Sequence, residues 1–216
     1  MRREYEPEIM DAPDVPDALA RRVYGDLARI HHWLGDTQFM VGAIRRNPWP
    51  VRRILDVGCA TGLVSDDVGR KLGVEALGVD LNPRRSIRAS VSVIQADAVR
   101  DSLPCADVAF SMHLGHHLAE DDVVELIRNV GRFCRRFILM DLVRHAVPLA
   151  LFRAFVAPLV SPVTARDGIT SIRRSYTPVE LRRIAAEALS GSGGAFRHSV
   201  TPFYTRQVID ISYAHP

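Results

Sequence analysis

The sequence predicts a three-layer α/β fold, with helices on both sides of a mostly parallel sheet. Short runs rich in branched apolar residues, 54–57 and 76–79 first among them, suit strands buried on both faces. After the first run Leu63, Val68 and Leu72 recur at helical spacing, the strand–helix alternation of a parallel sheet. A glycine-bearing turn, Gly58 to Gly62, joins that strand to its helix, and Asp80 ends the second strand.

At 216 residues the chain fits one domain, 1–216. Its formal charge is +3, and its cations are arginines apart from Lys71. They are scattered rather than blocked, so no nucleic-acid face is expected. Three cysteines, Cys59, Cys105 and Cys134, have no C-x-x-C spacing, so neither a zinc site nor a disulfide framework is implied, and a cytoplasmic location is expected. The start, MRREYEPEIMD, lacks the apolar core of a signal peptide. The longest apolar stretch, 146–162, holds Arg153 and three prolines and is too short for a transmembrane segment.

Taken in order, residues 1–18 are rich in Pro, Asp and Glu without a period and read as an extended or partly ordered arm. Asp17 is placed to cap the helical segment after it. From Ala18 to Arg46 apolar residues recur every three to four positions with a break near Gly35, which predicts two helices before the sheet. They are expected to close over the sheet edge rather than to build the core. After Asp80, Asn82-Pro83 starts a short helix. Strands come next at 92–95, ending at Asp97, and at 108–112, and Cys105 reads as buried packing. Glu120, Asp121 and Asp122 open a helix whose N-terminal carboxylates suit the macrodipole. A fifth strand, 137–143, carries Asp141. Beyond it lie an apolar helical flap (146–162), a polar segment (171–176), and a helix opened by Thr177-Pro178 with Glu180 completing a capping box. Two strands, 196–203 and 206–212, end the chain.

The turn after the first strand selects the ligand. Gly58 and Gly62 sit where a ligand approaches bare backbone. Asp80, eighteen residues beyond Gly62, can accept both hydroxyls of a ribose. A dinucleotide fingerprint from Gly58 would need glycine at positions occupied by Ala60 and Leu63, which disfavours NAD and FAD.

What remains, ILDVGCATG followed by GVDLNP, resembles the first two motifs of class I S-adenosylmethionine (SAM) methyltransferases, with Ala60 in place of the family's middle glycine. The resemblance implies a Rossmann-like seven-stranded sheet, mostly parallel with the last strand antiparallel, and an N-terminal helical cap within 1–49. The SAM-binding core would span 50–145, a substrate-side flap 146–176, and the final helix and hairpin 177–216. The cofactor would be SAM, leaving S-adenosylhomocysteine (SAH), and it would contact Asp56, Gly58, Cys59, Ala60, Gly62, Asp80 and Leu81. QADA resembles the family's acidic position after the third strand, which would bring Asp97 and Ala98 to the adenine, and Ser111 would follow at the end of strand four. MHLGHHL is similar to the xLHHL of small-molecule methyltransferases of the ubiquinone and menaquinone type. The N-P-P-Y signature of enzymes that methylate base amino groups is absent.

Transfer to a phenol or enol acceptor is helped by a general base. Of the histidines after strand four, His116 and His117 match the motif as catalytic residues. His113, Tyr24, Trp33 and Asp141 are expected at the acceptor, a small aromatic or lipophilic molecule of phenol, quinol or polyketide type. No metal is expected, because a zinc site needs a third ligand that the sequence does not place. Methylation of RNA or protein, and a SAM-binding partner protein without activity, stand as alternatives. The sequence leaves the acceptor's identity, the atom methylated and the oligomeric state open.

Overall fold

The computed structural model describes residues 1–12, 14–83 and 90–214. One sheet contains β1 (Arg53–Val57), β2 (Glu75–Asp80), β3 (Ser92–Gln95), β4 (Ala106–Met112), β5 (Cys134–Asp141), β6 (Ala195–Val200) and β7 (Gln207–Ser212). Their order is β3-β2-β1-β4-β5-β7-β6. Neighbours from β3 to β5 run parallel, while β7 runs antiparallel to β5 and to β6. This is the expected sheet. Its strand order reverses between β1 and β4, and the C-terminal ends of these two strands flank the crevice where open α/β sheets bind ligands.

Seven α-helices are described: α1 (Asp17–Leu34), α2 (Asp36–Arg45), α3 (Leu63–Leu72), α4 (Glu120–Val130), α5 (Ala146–Leu151), α6 (Pro162–Arg174) and α7 (Pro178–Ala188). One face of the sheet packs Leu55, Ala109, Phe137 and Ile209 against α4 and α7. The other packs Ile54, Val108, Phe110 and Ile138 against α2 and α3. Thr177 and Glu180 form the expected capping box at α7. The short helix expected after Asn82-Pro83 falls largely on residues 84–89, outside the described residues.

Several expectations need correction. The two N-terminal helices are not equivalent: Gly35, at φ 67°, breaks them apart, and α2 belongs to the core. Its Met40, Val41, Ala43 and Ile44 are buried against Ile54, Val68 and Met140, each large side chain worth roughly 1.5–3 kcal/mol by burial. Only α1 stands off the sheet, tied to α6 where its buried Asp26 accepts the Ser161 N–H and the Thr164 hydroxyl, both at 2.8 Å. Asp17 does not cap α1 but is its first residue, with Pro16 at the cap position. The polar segment 171–176 is mostly the end of α6. Cys105 is exposed rather than packed, in the loop that leads into β4. The strand expected over 196–203 stops at Val200, because Pro202–Tyr204 form a 3-10 turn with Phe203 at φ 59°.

Candidate active site

The turn after β1 holds three left-handed residues at alternate positions, Gly58 (φ 79°), Ala60 (φ 49°) and Gly62 (φ 75°). A Cβ at Gly58 would lie 3.0 Å from the Leu114 side chain, so glycine lets the turn close against the segment after β4. Ala60 adopts the same backbone region with a Cβ, which is strained. Its N–H donates to Asp80 Oδ2 at 2.7 Å, and the Asn82 N–H donates to Oδ1 at 2.8 Å. The Asp80 carboxylate is thereby oriented at the end of β2, and each oxygen keeps a lone pair for a further donor.

Beneath the turn, Asp56 is buried on β1 and accepts the Ser65 hydroxyl at 2.6 Å. Burial pushes its carboxyl up to about 7, the Asp80 charge adding to the effect and Ser65 opposing it. Cys59 is also buried, and its thiol pKa is raised by burial. Leu81 is exposed. Asp97 accepts the Val99 N–H and an Arg100 guanidinium N–H, both at 2.9 Å, and so caps the turn after β3. The Ala98 carbonyl accepts the Asn129 amide at 2.9 Å. Ser111 is fully buried near the end of β4, and its Oγ has no hydrogen-bond partner.

Past β4 the chain makes a 3-10 turn, Gly115–His117. A Cβ at Gly115 would come within 2.8 Å of Asp141 Oδ2. Glycine there lets Asp141 accept the His116 N–H at 2.7 Å, while Oδ1 sits 2.7 Å from His116 Nδ1. The other ring nitrogen, Nε2, lies 3.4 Å from Glu8 Oε1. Burial alone would strip His116 of its proton, but Asp141 and then Glu8 outweigh it and push the pKa up to about 10. The same pairing holds Glu8 and Asp141 below the usual carboxylate range against their burial.

The N-terminal arm supplies Glu8 and is not a loose tail. Asp167 on α6 accepts the Ile9 and Met10 N–H groups at 2.9 and 3.1 Å. Arg3 donates to the Leu118 carbonyl at 2.9 Å and lies over the Tyr176 ring at 3.8 Å. Asp11 Oδ1 is 3.1 Å from His117 Nδ1, and its other oxygen accepts from Arg174 at 2.7 Å. His117 stays partly exposed, with Nε2 3.9 Å from Glu8, beyond hydrogen-bond reach.

Asp141, His113, His116 and His117 therefore gather at one edge of the sheet. Trp33 is exposed and Tyr24 half-buried, both on α1. Sequence reasoning missed the arm carboxylates Glu8 and Asp11, because an aperiodic acidic segment carries no signal of where it docks. It also missed a second cluster, in which Asp36 at the start of α2 meets His31 and His113. The signal there was a carboxylate directly after the helix-breaking Gly35, which reads equally well as a helix-dipole residue.

Residues 54–136 match the family model of a methyltransferase domain. Together with the strand order, this match supports a class I SAM-dependent methyltransferase domain in this part of the chain. Among solved structures it is similar to the plantazolicin methyltransferase BpumL in complex with SAH, at 12% identity and TM-score 0.70 over 94% of this chain and 93% of that one. BpumL with a monoazolic desmethyl-plantazolicin analogue and SAH matches at 13% identity, TM-score 0.68 and 90% of each chain. The pyocyanin biosynthetic protein PhzM matches at 16% identity and TM-score 0.61, over 96% of this chain and 62% of that one. A search of curated proteins finds no match. No described helix is long and apolar enough to cross a membrane.

Proposed function

We propose that the chain methylates a small aromatic or lipophilic molecule, bound between α1, the turn after β4 and the flap that begins at α5. The observation that carries this reading is a polar histidine edge beside an exposed apolar rim. Val147, Phe155 and Leu159 of the flap, and Phe203 and Tyr204 of the neighbouring turn, are all exposed. The flap also contains a π-helical segment, Phe152–Val156, a feature that recurs at functional sites. The similar solved structures support the same direction: one holds a monoazolic desmethyl-plantazolicin analogue, and another is named for the biosynthesis of pyocyanin.

The turn fits an adenosyl ligand, because bare backbone at Gly58, the oriented Asp80 carboxylate and the partnerless Ser111 hydroxyl lie around the β1–β4 crevice. Asp80 would accept the ribose hydroxyls, and Asp97 and Ala98 would border the adenine. SAM, when bound, supplies the electrophilic methyl group. The protein's part is to hold donor carbon and acceptor atom about 3–3.5 Å apart and in line.

Of the two motif histidines, His117 suits proton transfer better than His116. His116 is closed to solvent and held protonated between two carboxylates, so it positions the turn. His117 has Nδ1 beside Asp11 and Nε2 without a hydrogen bond, the arrangement of a base oriented by a carboxylate.

The experiment is SAM binding by calorimetry together with methyl-transfer assays on a phenol and quinol panel. Asp80→Ala should weaken SAM binding by roughly 1.5–3 kcal/mol, and His117→Gln should lower kcat by about 10²–10⁴ with SAM affinity unchanged. Tight SAM binding with no transfer to any panel member would favour a partner protein without activity.

A further inference from the structure

His31, Asp36 and His113 come from α1, the start of α2 and the end of β4, yet each presents one ligand atom within 4.8 Å of the others. Asp36 is buried. Its Oδ2 lies 2.8 Å from His31 Nδ1 and 3.6 Å from His113 Nε2.

His113 is the anomaly in this group. Its backbone is held at φ 62°, a conformation that disfavours a residue with a Cβ. Its ring is stacked on His31 at 5.0 Å. Both ring nitrogens are buried, and neither has a hydrogen-bond partner. Strain and unmet hydrogen bonding at one residue call for an explanation, and a bound ion is one.

A divalent ion would give Nε2 its partner. Metal–nitrogen and metal–oxygen bonds of about 2.0–2.2 Å meeting at a tetrahedral angle put N and O about 3.4 Å apart. The His113–Asp36 separation of 3.6 Å already suits this, and the His31–Asp36 contact at 2.8 Å need open by only about half an ångström. Behind His113, Asp141 Oδ1 lies 3.9 Å from the opposite ring nitrogen, Nδ1, beyond hydrogen-bond reach, so its charge faces the ring without holding it. Arg206 pairs with Asp36 Oδ1 and leaves Oδ2 for the ion.

Glu8, His116 and His117 form a second three-residue group, but there both ring nitrogens of His116 already face carboxylates. That group is a latch.

We propose that His31, Asp36 and His113 form a site for a divalent transition-metal ion, with open positions that take an ionisable oxygen of the acceptor. Two neutral imidazoles and one carboxylate suit zinc, cobalt or ferrous iron. With Arg206 beside Asp36 the loaded site carries excess positive charge, which selects an anionic oxygen such as a phenolate or enolate. The acceptor half of this proposal rests on the function proposed above, whereas metal binding does not.

The test is titration of the untagged full-length protein with Co²⁺, read by visible ligand-field absorption. One Co²⁺ per chain is expected, displaced by Zn²⁺ with loss of the bands. His113→Gln and His31→Gln should each weaken Co²⁺ binding at least about tenfold, while Glu8→Gln leaves the spectrum unchanged. Absence of the bands at a tenfold excess of Co²⁺ over protein overturns the site, and so do bands that survive in His31→Gln or vanish in Glu8→Gln. If His113→Gln fails to fold by circular dichroism, His31→Gln, on the cap helix outside the core, decides alone. A protein that binds Co²⁺ as expected but methylates no phenol or quinol counts against the acceptor reading and not against the site.

Discussion

Asp141 binds His116 twice, accepting its backbone N–H at 2.7 Å and lying 2.7 Å from ring Nδ1. Both side chains are buried, so neither charge has water as an alternative partner. Asp141→Asn should therefore remove the nearer of the imidazolium's two carboxylates, leaving only Glu8 at 3.4 Å, and destabilise the protein by about 3–5 kcal/mol, the cost of breaking a buried pair from one side. Urea denaturation at pH 7 measures this. A loss below about 1 kcal/mol would mean that His116 is neutral and its bond to Asp141 ordinary.

The arm's docking should depend on pH through the same pair. The His116 pKa is raised from 6.5 to about 10, so its contribution is complete below pH 6.5 and is lost as pH rises toward 10. Glu8 is lowered from 4.5, so its contribution is present above pH 4.5 and is lost as pH falls through the folded value. Protection of the Ile9 and Met10 amides against hydrogen exchange, expressed as protection factors, should be greatest between these limits and decline toward pH 10. In His116→Gln the alkaline decline should disappear. A decline that persists would assign it to another group.

Truncations should separate the arm from the core. Removing residues 1–12 leaves α2 in place, so the protein should unfold cooperatively while His116 becomes accessible to diethyl pyrocarbonate. Removing 1–46 takes away Met40, Val41, Ala43 and Ile44, which are buried against the sheet. The three large side chains among them, Met40, Val41 and Ile44, at about 2–5 kcal/mol each, amount to as much as the roughly 5–15 kcal/mol by which domains are stable. That product should show no cooperative transition by circular dichroism.

Ala60 carries its Cβ at φ 49°. Ala60→Gly should raise stability by about 1 kcal/mol, the left-handed penalty less the entropy that glycine costs on folding. Chemical denaturation would show the gain as a higher midpoint with an unchanged m-value. SAM affinity should hold or rise, because the Ala60 N–H that orients Asp80 is retained. A lower midpoint would mean that the methyl group makes packing contacts worth more than the strain.

The sheet and the turn after β1 were legible in the sequence because both are local. Strands buried on two faces must be continuously apolar, a turn that changes hand needs Gly58 and Gly62, and an acid at a strand end such as Asp80 stays where the strand ends. Glu180 was legible as half of a capping box for the same reason, since its partner Thr177 lies three residues away. Only the tertiary structure decided the contacts that span more than a hundred residues or join elements with no shared period. Glu8 meets His116, Asp167 holds Ile9 and Met10, and Asp36 joins His31 to His113. The amphipathic pattern of 36–45 shows that α2 buries one face but not against what, so its place in the core was hidden as well. A histidine's role was the least legible feature. The sequence places His116 and His117 side by side, but burial and facing carboxylates make one a fixed cation and leave the other partly open to solvent.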